Sequence, residues 1–472
     1  MSESRPHQQL WLDLWLRENL GLDHTPRPEE LRGLQMDRLR RTLVHAAANS
    51  PFYRERLRHI QPEGIRQPDD LARLPRTRSQ DLRTRPEAFL AVSQDEVARV
   101  VSVPSSGTSG PGKRVFYAPG DLERIIRFFG LGMRNLLRSG ESALILLPGE
   151  RPGSVGLLMS EALASFGARA VIPEAREYNW NNPQDGPDAI LTRIQREQVR
   201  CIVGTPAHLH VLAAHWAAKR LPRDQIRTIL LCWDAVPEQL ARNVEFSLGC
   251  RVFQHWGMVE TGLGGAVSCG HAQGMHLREA EIFVEITDPD SGTPLPDGQW
   301  GEIVVTTLNR RAMPLIRYRT GDRGRILPEP CACASPLRRL DTRVRRLHDA
   351  LHLPGAVRIS MAELAEALYA VPELVDFHAR LVNASPEQTG EGITADVLFV
   401  EISTLAPENK ARCVAVLHAA TQAVGSLPAL ARALEQGLRL EVRTTGHHGP
   451  ARPGLGKRVL RQPAEQRQGD PS

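Results

Sequence analysis

Nine consecutive residues, Ser105-Ser-Gly-Thr-Ser-Gly-Pro-Gly-Lys113, contain three glycines, four hydroxyl side chains and one lysine. Glycine lets successive backbone N–H groups turn toward one anion, and hydroxyls add donors. The lysine adds a mobile positive charge suited to a phosphate. The segment also matches most of a Walker A loop, Gly107-x4-Gly112-Lys113. However, Arg114 stands where Ser or Thr should hold magnesium, and Val115-Phe-Tyr117 reads as strand where a helix should begin. The Walker reading is therefore disfavoured, while a flexible surface loop of the same composition stays open.

Further along lie other chemically loaded segments. His255-Trp-Gly-Met-Val-Glu-Thr-Gly262 carries one carboxylate, Glu260, between two glycines. Such a group suits magnesium, a hard cation that prefers oxygen ligands. The bland alternative is a solvated Glu after a strand end. Pro314-Leu-Ile-Arg-Tyr-Arg-Thr-Gly-Asp322 ends on an aspartate, whose two oxygens can each accept a hydrogen bond. Cys269-x6-His276 and Cys331-x-Cys333 supply three thiols and one imidazole, a donor set suited to a structural zinc. His271 is a competing ligand, and unliganded cysteines are the alternative. Lys457 follows a Pro/Gly-rich stretch, residues 446–454, that reads as a mobile loop.

These residues need elements to carry them. Apolar residues at helical spacing predict helices through residues 8–60, and Leu122, Ile125, Ile126 and Phe129 predict another. A further helix is expected over His208–Lys219. Ala143–Leu147, Cys201–Gly204, Thr228–Cys232 and Arg251–His255 are short strand-like runs between helical patterns. That alternation implies a mainly parallel sheet covered by helices. After Glu279 strands dominate, at Ile282–Ile286 and Glu302–Thr307, with a turn cluster at Asp288–Pro294 between them. A smaller unit is expected from about residue 345. Its first helix opens on the capping box Ser360-x-x-Glu363, and strands follow at Val397–Ile402 and Leu438–Val442.

Residues 105–113 resemble the phosphate loop of the adenylate-forming superfamily, and residues 255–262 and 314–322 resemble its next two motifs in order. Pro51-Phe-Tyr-Arg-Glu-Arg-Leu57 and Asp69-Asp-Leu-Ala-Arg-Leu-Pro75 look like the opening of phenylacetate–CoA ligases in particular. The resemblance implies roles. Ser105, Ser106, Gly107, Thr108, Ser109, Gly110 and Lys113 would bind the phosphates of ATP. Glu260 would help hold Mg2+, and His255, Trp256, Gly257, Asp322 and Arg346 would line the AMP site, with Asp322 on the ribose hydroxyls. Lys457 would serve adenylation. Cys269, His276, Cys331 and Cys333 match a zinc pattern of some relatives. Two positions depart from the family: its Thr is Val259 here, and His348 stands at the usual hinge acid.

The expected architecture is α/β. A large N-terminal ATP- and acid-binding domain (1–344) has helix-covered sheets and a β-rich subdomain. A small mobile α+β C-terminal domain (345–462) follows, and 463–472 is a polar, disordered tail. The expected activity is AMP-forming ligation of an aryl or arylacetic acid to CoA through an acyl-adenylate. Trp233, Ala235 and Trp256 lie near segments lining the adenine and acid pockets of relatives, with core packing the alternative for the tryptophans. Two further readings stand beside it: transfer to a carrier-protein thiol, and a degenerate nucleotide binder.

Composition sets the outer limits. With 41% hydrophobic and 24% charged residues and a net charge of +5, the 472-residue chain reads as an ordinary globular protein. It has no Lys/Arg block, so nucleic-acid or membrane partners are not expected. Val155–Ile172, the longest apolar stretch, is interrupted by Glu161 and Arg169. Seven widely spaced cysteines point to a reducing cytoplasm. A homodimer is the expected assembly.

Overall fold

The structure is a computed structural model. It describes residues 11–103, 112–149, 154–178, 180, 186–271, 273–348, 350–384 and 395–445. The chain divides into two compact units, Met1–Val171 with Phe253–Leu347, and Ile172–Val252 with His348–Ser472. Compactness thus groups the chain differently from a single cut at 344/345.

In the first unit the helical N-terminus is three helices, Trp11–Leu20, Pro28–Asn49 and Pro51–Arg56. Pro28 and Pro51 occupy the first helical position, where a missing N–H costs nothing. Trp11 and Trp15 pack edge-on against Phe128, with centroids 5.6 and 5.2 Å away. Phe128 lies on the helix Pro119–Met133, whose inner face is Ile125, Phe128 and Phe129.

Strands Ser142–Leu146 and Arg169–Val171 pair in parallel through the helix Val155–Ala164. Four antiparallel strands, Ile282–Thr287, Gly301–Thr307, Tyr318–Gly324 and Arg345–Arg346, make a separate sheet. Alternate residues Ile282, Val284, Ile286, Ile303 and Val305 pack in one core with Trp256, Leu277 and Leu340. Each such side chain contributes roughly 1.5–3 kcal/mol through burial, and Gly301–Thr307, seated on this core, pairs with the strand bearing Asp322.

The second unit contains the parallel pair Val199–Gly204 and Thr228–Leu231, joined by the helix Pro206–Ala218. Thr205 caps that helix by accepting from the His208 amide. Trp233, just past the second strand, is half-buried at φ +81, so it is not simple core packing. The Ser360/Glu363 capping box forms as expected and opens the helix Met361–Tyr369. Leu374–Ala384 pairs antiparallel with Ala395–Thr404, and that strand pairs in parallel with Arg439–Thr444. Helices Lys410–Gly425 and Pro428–Glu435 complete this smaller α+β part. Among the described residues no single helix is long and apolar enough to cross a membrane.

Candidate active site

Lys113 opens the strand Lys113–Tyr117, which forms an antiparallel hairpin with Arg99–Val103. Val103 and Lys113 are cross-strand partners. A Walker lysine would lead into a helix, and this one leads into a strand. Ser105, Ser106, Gly107, Thr108, Ser109 and Gly110 lie outside the described residues.

The Lys113 ammonium pairs with the Glu260 carboxylate and lies 3.3 Å from the Tyr318 hydroxyl. Tyr318 donates to Glu260 Oε1 at 2.8 Å. Burial alone would raise the Glu260 pKa. The Lys113 charge and hydrogen bond, with Tyr318, outweigh it and hold the carboxyl below its ordinary value. Burial, and then Glu260, push the Tyr318 phenol well above its usual range, so it remains a donor.

Glu260 sits on the 3-10 turn Val259–Thr261, which ends on Gly262 at φ +75. The family's Thr is Val259, and the neighbouring Thr261 does not replace it. Its hydroxyl is engaged with both the amide and the carbonyl of Met258, at 3.0 Å each. Gly257 is required by close approach: a Cβ there would lie 2.9 Å from the His255 ring and 3.1 Å from the Gly264 Cα.

A second acidic site lies four residues from Tyr318 on the same strand. Tyr318, Thr320 and Asp322 share its buried face. Asp322 Oδ2 accepts from the Trp256 indole N–H at 3.0 Å, and Oδ1 pairs with Arg346 at 2.9 Å. Each oxygen keeps a further lone pair for an incoming hydroxyl. The Trp256 ring itself belongs to the core, so only its N–H serves the site. Arg346 is held opposite Asp322 by strand register. His255 is half-buried with its imidazole turned inward, its pKa lowered to about 4 by burial first and by Arg278 second. It is therefore neutral near pH 7, and its Nε2 has no hydrogen-bond partner among the described residues.

The four metal-type residues converge in the first unit. One ligand atom from each of Cys269, His276, Cys331 and Cys333 lies within 4.8 Å of all the others. Cys269 and Cys331 sulfurs are 3.6 Å apart, and Cys333 Sγ is 3.2 Å from His276 Nε2. A tetrahedral zinc with ligands at roughly 2.0–2.3 Å sets edges of about 3.3–3.8 Å, close to these two contacts, and the donor set suits the ion. His276 Nδ1 faces the Leu337 carbonyl at 3.0 Å, which turns Nε2 toward the cluster. Hydrogen bonds from Cys333, and less from His276, hold the Cys269 thiol down against burial. His271 is exposed and stands apart from the converging set.

His348 opens the second unit's C-terminal portion, one residue past Leu347. Lys457 lies outside the described residues. Tyr318, Tyr117 and Arg310 also face the Glu260 site, and the sequence motifs assign none of them a role. Tyr318 could have been found, because period-2 spacing puts it on the face of Asp322.

A family model described as AMP-binding enzyme matches residues 92–309. A phenylacetate–CoA ligase of Thermus thermophilus is 31% identical over 372 residues, 76% of this chain and 80% of that protein. The Escherichia coli phenylacetate–CoA ligase is 30% identical over 380 residues, 77% and 82% of the two chains. A solved 2-hydroxyisobutyryl-CoA ligase, bound to its acyl-adenylate, shares the fold at 18% identity with a TM-score of 0.73, covering 92% of this chain and 89% of its own. Fold and site together define an adenylate-forming enzyme. The chain belongs to the phenylacetate–CoA ligase family.

Proposed function

We propose that this chain is an ATP-dependent, AMP-forming carboxylate–CoA ligase whose acid is aryl or arylacetic. The observation that carries it is the strand Tyr318–Gly324, which presents the Lys113–Glu260–Tyr318 cluster and the Asp322 carboxylate on one face. The strand bulges between the two groups, with its register against Gly301–Thr307 shifted and Gly321 at φ +70, and in this reading the ribose lies at Asp322 and the phosphates at Lys113. In the first half-reaction a carboxylate oxygen of the acid attacks the α-phosphorus, and the bond to pyrophosphate breaks. In the second, the CoA thiol loses its proton, sulfur attacks the acyl carbon and AMP leaves.

The protein's part is positioning and charge. Glu260 is the magnesium ligand in this reading, and the bound ion would offset charge on the phosphates. Lys113 would exchange its bond to Glu260 for the phosphates. Asp322 fixes the ribose. Lys457 would stabilise charge during adenylation, and rotation of the C-terminal part about Arg346–His348 would withdraw it before CoA enters. No protein nucleophile is needed. Burial raises the Cys232 and Cys250 thiols to about 12, which suits inert packing. The Cys269–His276–Cys331–Cys333 cluster is read as a structural zinc site with no part in the chemistry. Cytoplasmic residence and a homodimer complete the proposal.

Product analysis with ATP, magnesium and CoA across phenylacetate, benzoates and short fatty acids tests the substrate class. Phenylacetate or a benzoate should give the highest kcat/KM for acyl-CoA, and Lys457→Ala should lose about 100-fold or more in adenylation. A clear preference for short fatty acids would overturn the aryl assignment.

A further inference from the structure

The turn that carries Glu260 is gripped from behind by two side chains. The Tyr117 hydroxyl donates to the Val259 carbonyl. Arg310 donates from Nη2 to the Glu260 carbonyl at 3.4 Å, and its guanidinium lies over the Tyr117 ring, 4.8 Å from the centroid. Arg310 is only 8% exposed, and its Nη1 is buried with no hydrogen-bond partner among the described residues. A guanidinium in that position is costly, and an aromatic face and one carbonyl offset the cost in part. Gly262 makes the approach possible, since a Cβ there would lie 2.8 Å from Arg310 Nη2.

We propose that Arg310 and Tyr117 are positioning residues for Glu260. By fixing two successive carbonyls of the turn, they hold its carboxylate at one angle toward the metal-bound triphosphate. This rests on the assignment of Glu260 as the magnesium ligand. It also shows how the turn is held with Val259 in place of the family's Thr, since Thr261 is engaged with Met258. Neither side chain touches the reacting atoms, so the effect must pass through Glu260.

Tyr117→Phe removes one hydroxyl and keeps the ring. Arg310→Gln removes the charge, and Arg310→Lys keeps it without the planar fork. The readouts are the magnesium dependence of acid-dependent ATP–pyrophosphate exchange, calorimetric ATP binding with and without magnesium, and thermal melting. Tyr117→Phe and Arg310→Gln should raise half-saturating magnesium by roughly five- to tenfold, the size of one lost hydrogen bond. Arg310→Lys should fall between them and wild type. Magnesium-free ATP binding should stay at the wild-type value, and the melting temperature of Tyr117→Phe should fall by only a few degrees. An unchanged magnesium midpoint in Tyr117→Phe, with or without lost melting temperature, would reduce the pair to packing and overturn the proposal. Absence of exchange in the wild type with every acid would count against the ligase reading instead. Magnesium-dependent ATP binding would still then decide the role of this pair.

Discussion

Glu260 and Asp322 are both buried carboxylates, yet their partners differ in kind. Glu260 is held by a lysine that a phosphate can compete for. Asp322 is held by Trp256 and Arg346, partners that orient it and leave lone pairs open. Trp256→Phe removes one donor to a charged acceptor, a loss of about 1.5 kcal/mol, and also shrinks a core side chain, which costs stability. The KM for ATP should rise roughly tenfold while kcat changes little, and an unchanged KM would show that Asp322 needs no such orientation. Glu260 also predicts a pH effect. Its folded pKa lies below its ordinary value, so its stabilisation is present above the unfolded value of about 4.3 and lost as pH falls through the folded one. Glu260→Gln should therefore lower the melting temperature at pH 7 and converge with wild type on acidification. A constant gap across that range would contradict the assignment.

At the scale of elements, strand and turn geometry explains what the sequence revealed and what it withheld. The capping box at Ser360, the parallel runs near 143 and 201, and the all-β rhythm after 279 were legible because each has a local signature. Asp322 and Glu260 were legible from motifs. The grip of Tyr117 and Arg310 on residues 259–260 was not, since those contacts span 142 and 50 positions and no spacing encodes them. Trp256 could be placed near the nucleotide, but only the sheet register shows that its ring is core and its N–H is the working part. The cysteine cluster depends on the strand Met275–Leu277 pairing with Arg339–Leu340, which brings the two Cys/His segments together. Metal analysis of the purified protein should find about one zinc per chain. Cys331→Ser should lose it and melt several degrees lower, with the KM for ATP little changed. A full complement of zinc in that variant would show that the metal is held elsewhere.

At the scale of the whole molecule, one fold carries two consecutive reactions without a covalent enzyme intermediate in the proposed mechanism. The first unit supplies the nucleotide contacts described above, and the C-terminal lysine is assigned to only one of the two steps. The two half-reactions should therefore be separable. The most direct measurement is ATP–pyrophosphate exchange with phenylacetate in the absence of CoA, followed by CoA addition with AMP and acyl-CoA quantified together. Exchange should require the acid, and AMP and thioester should then be released in equal amounts. Release of ADP, or AMP without thioester and without acid dependence, would contradict this mechanism.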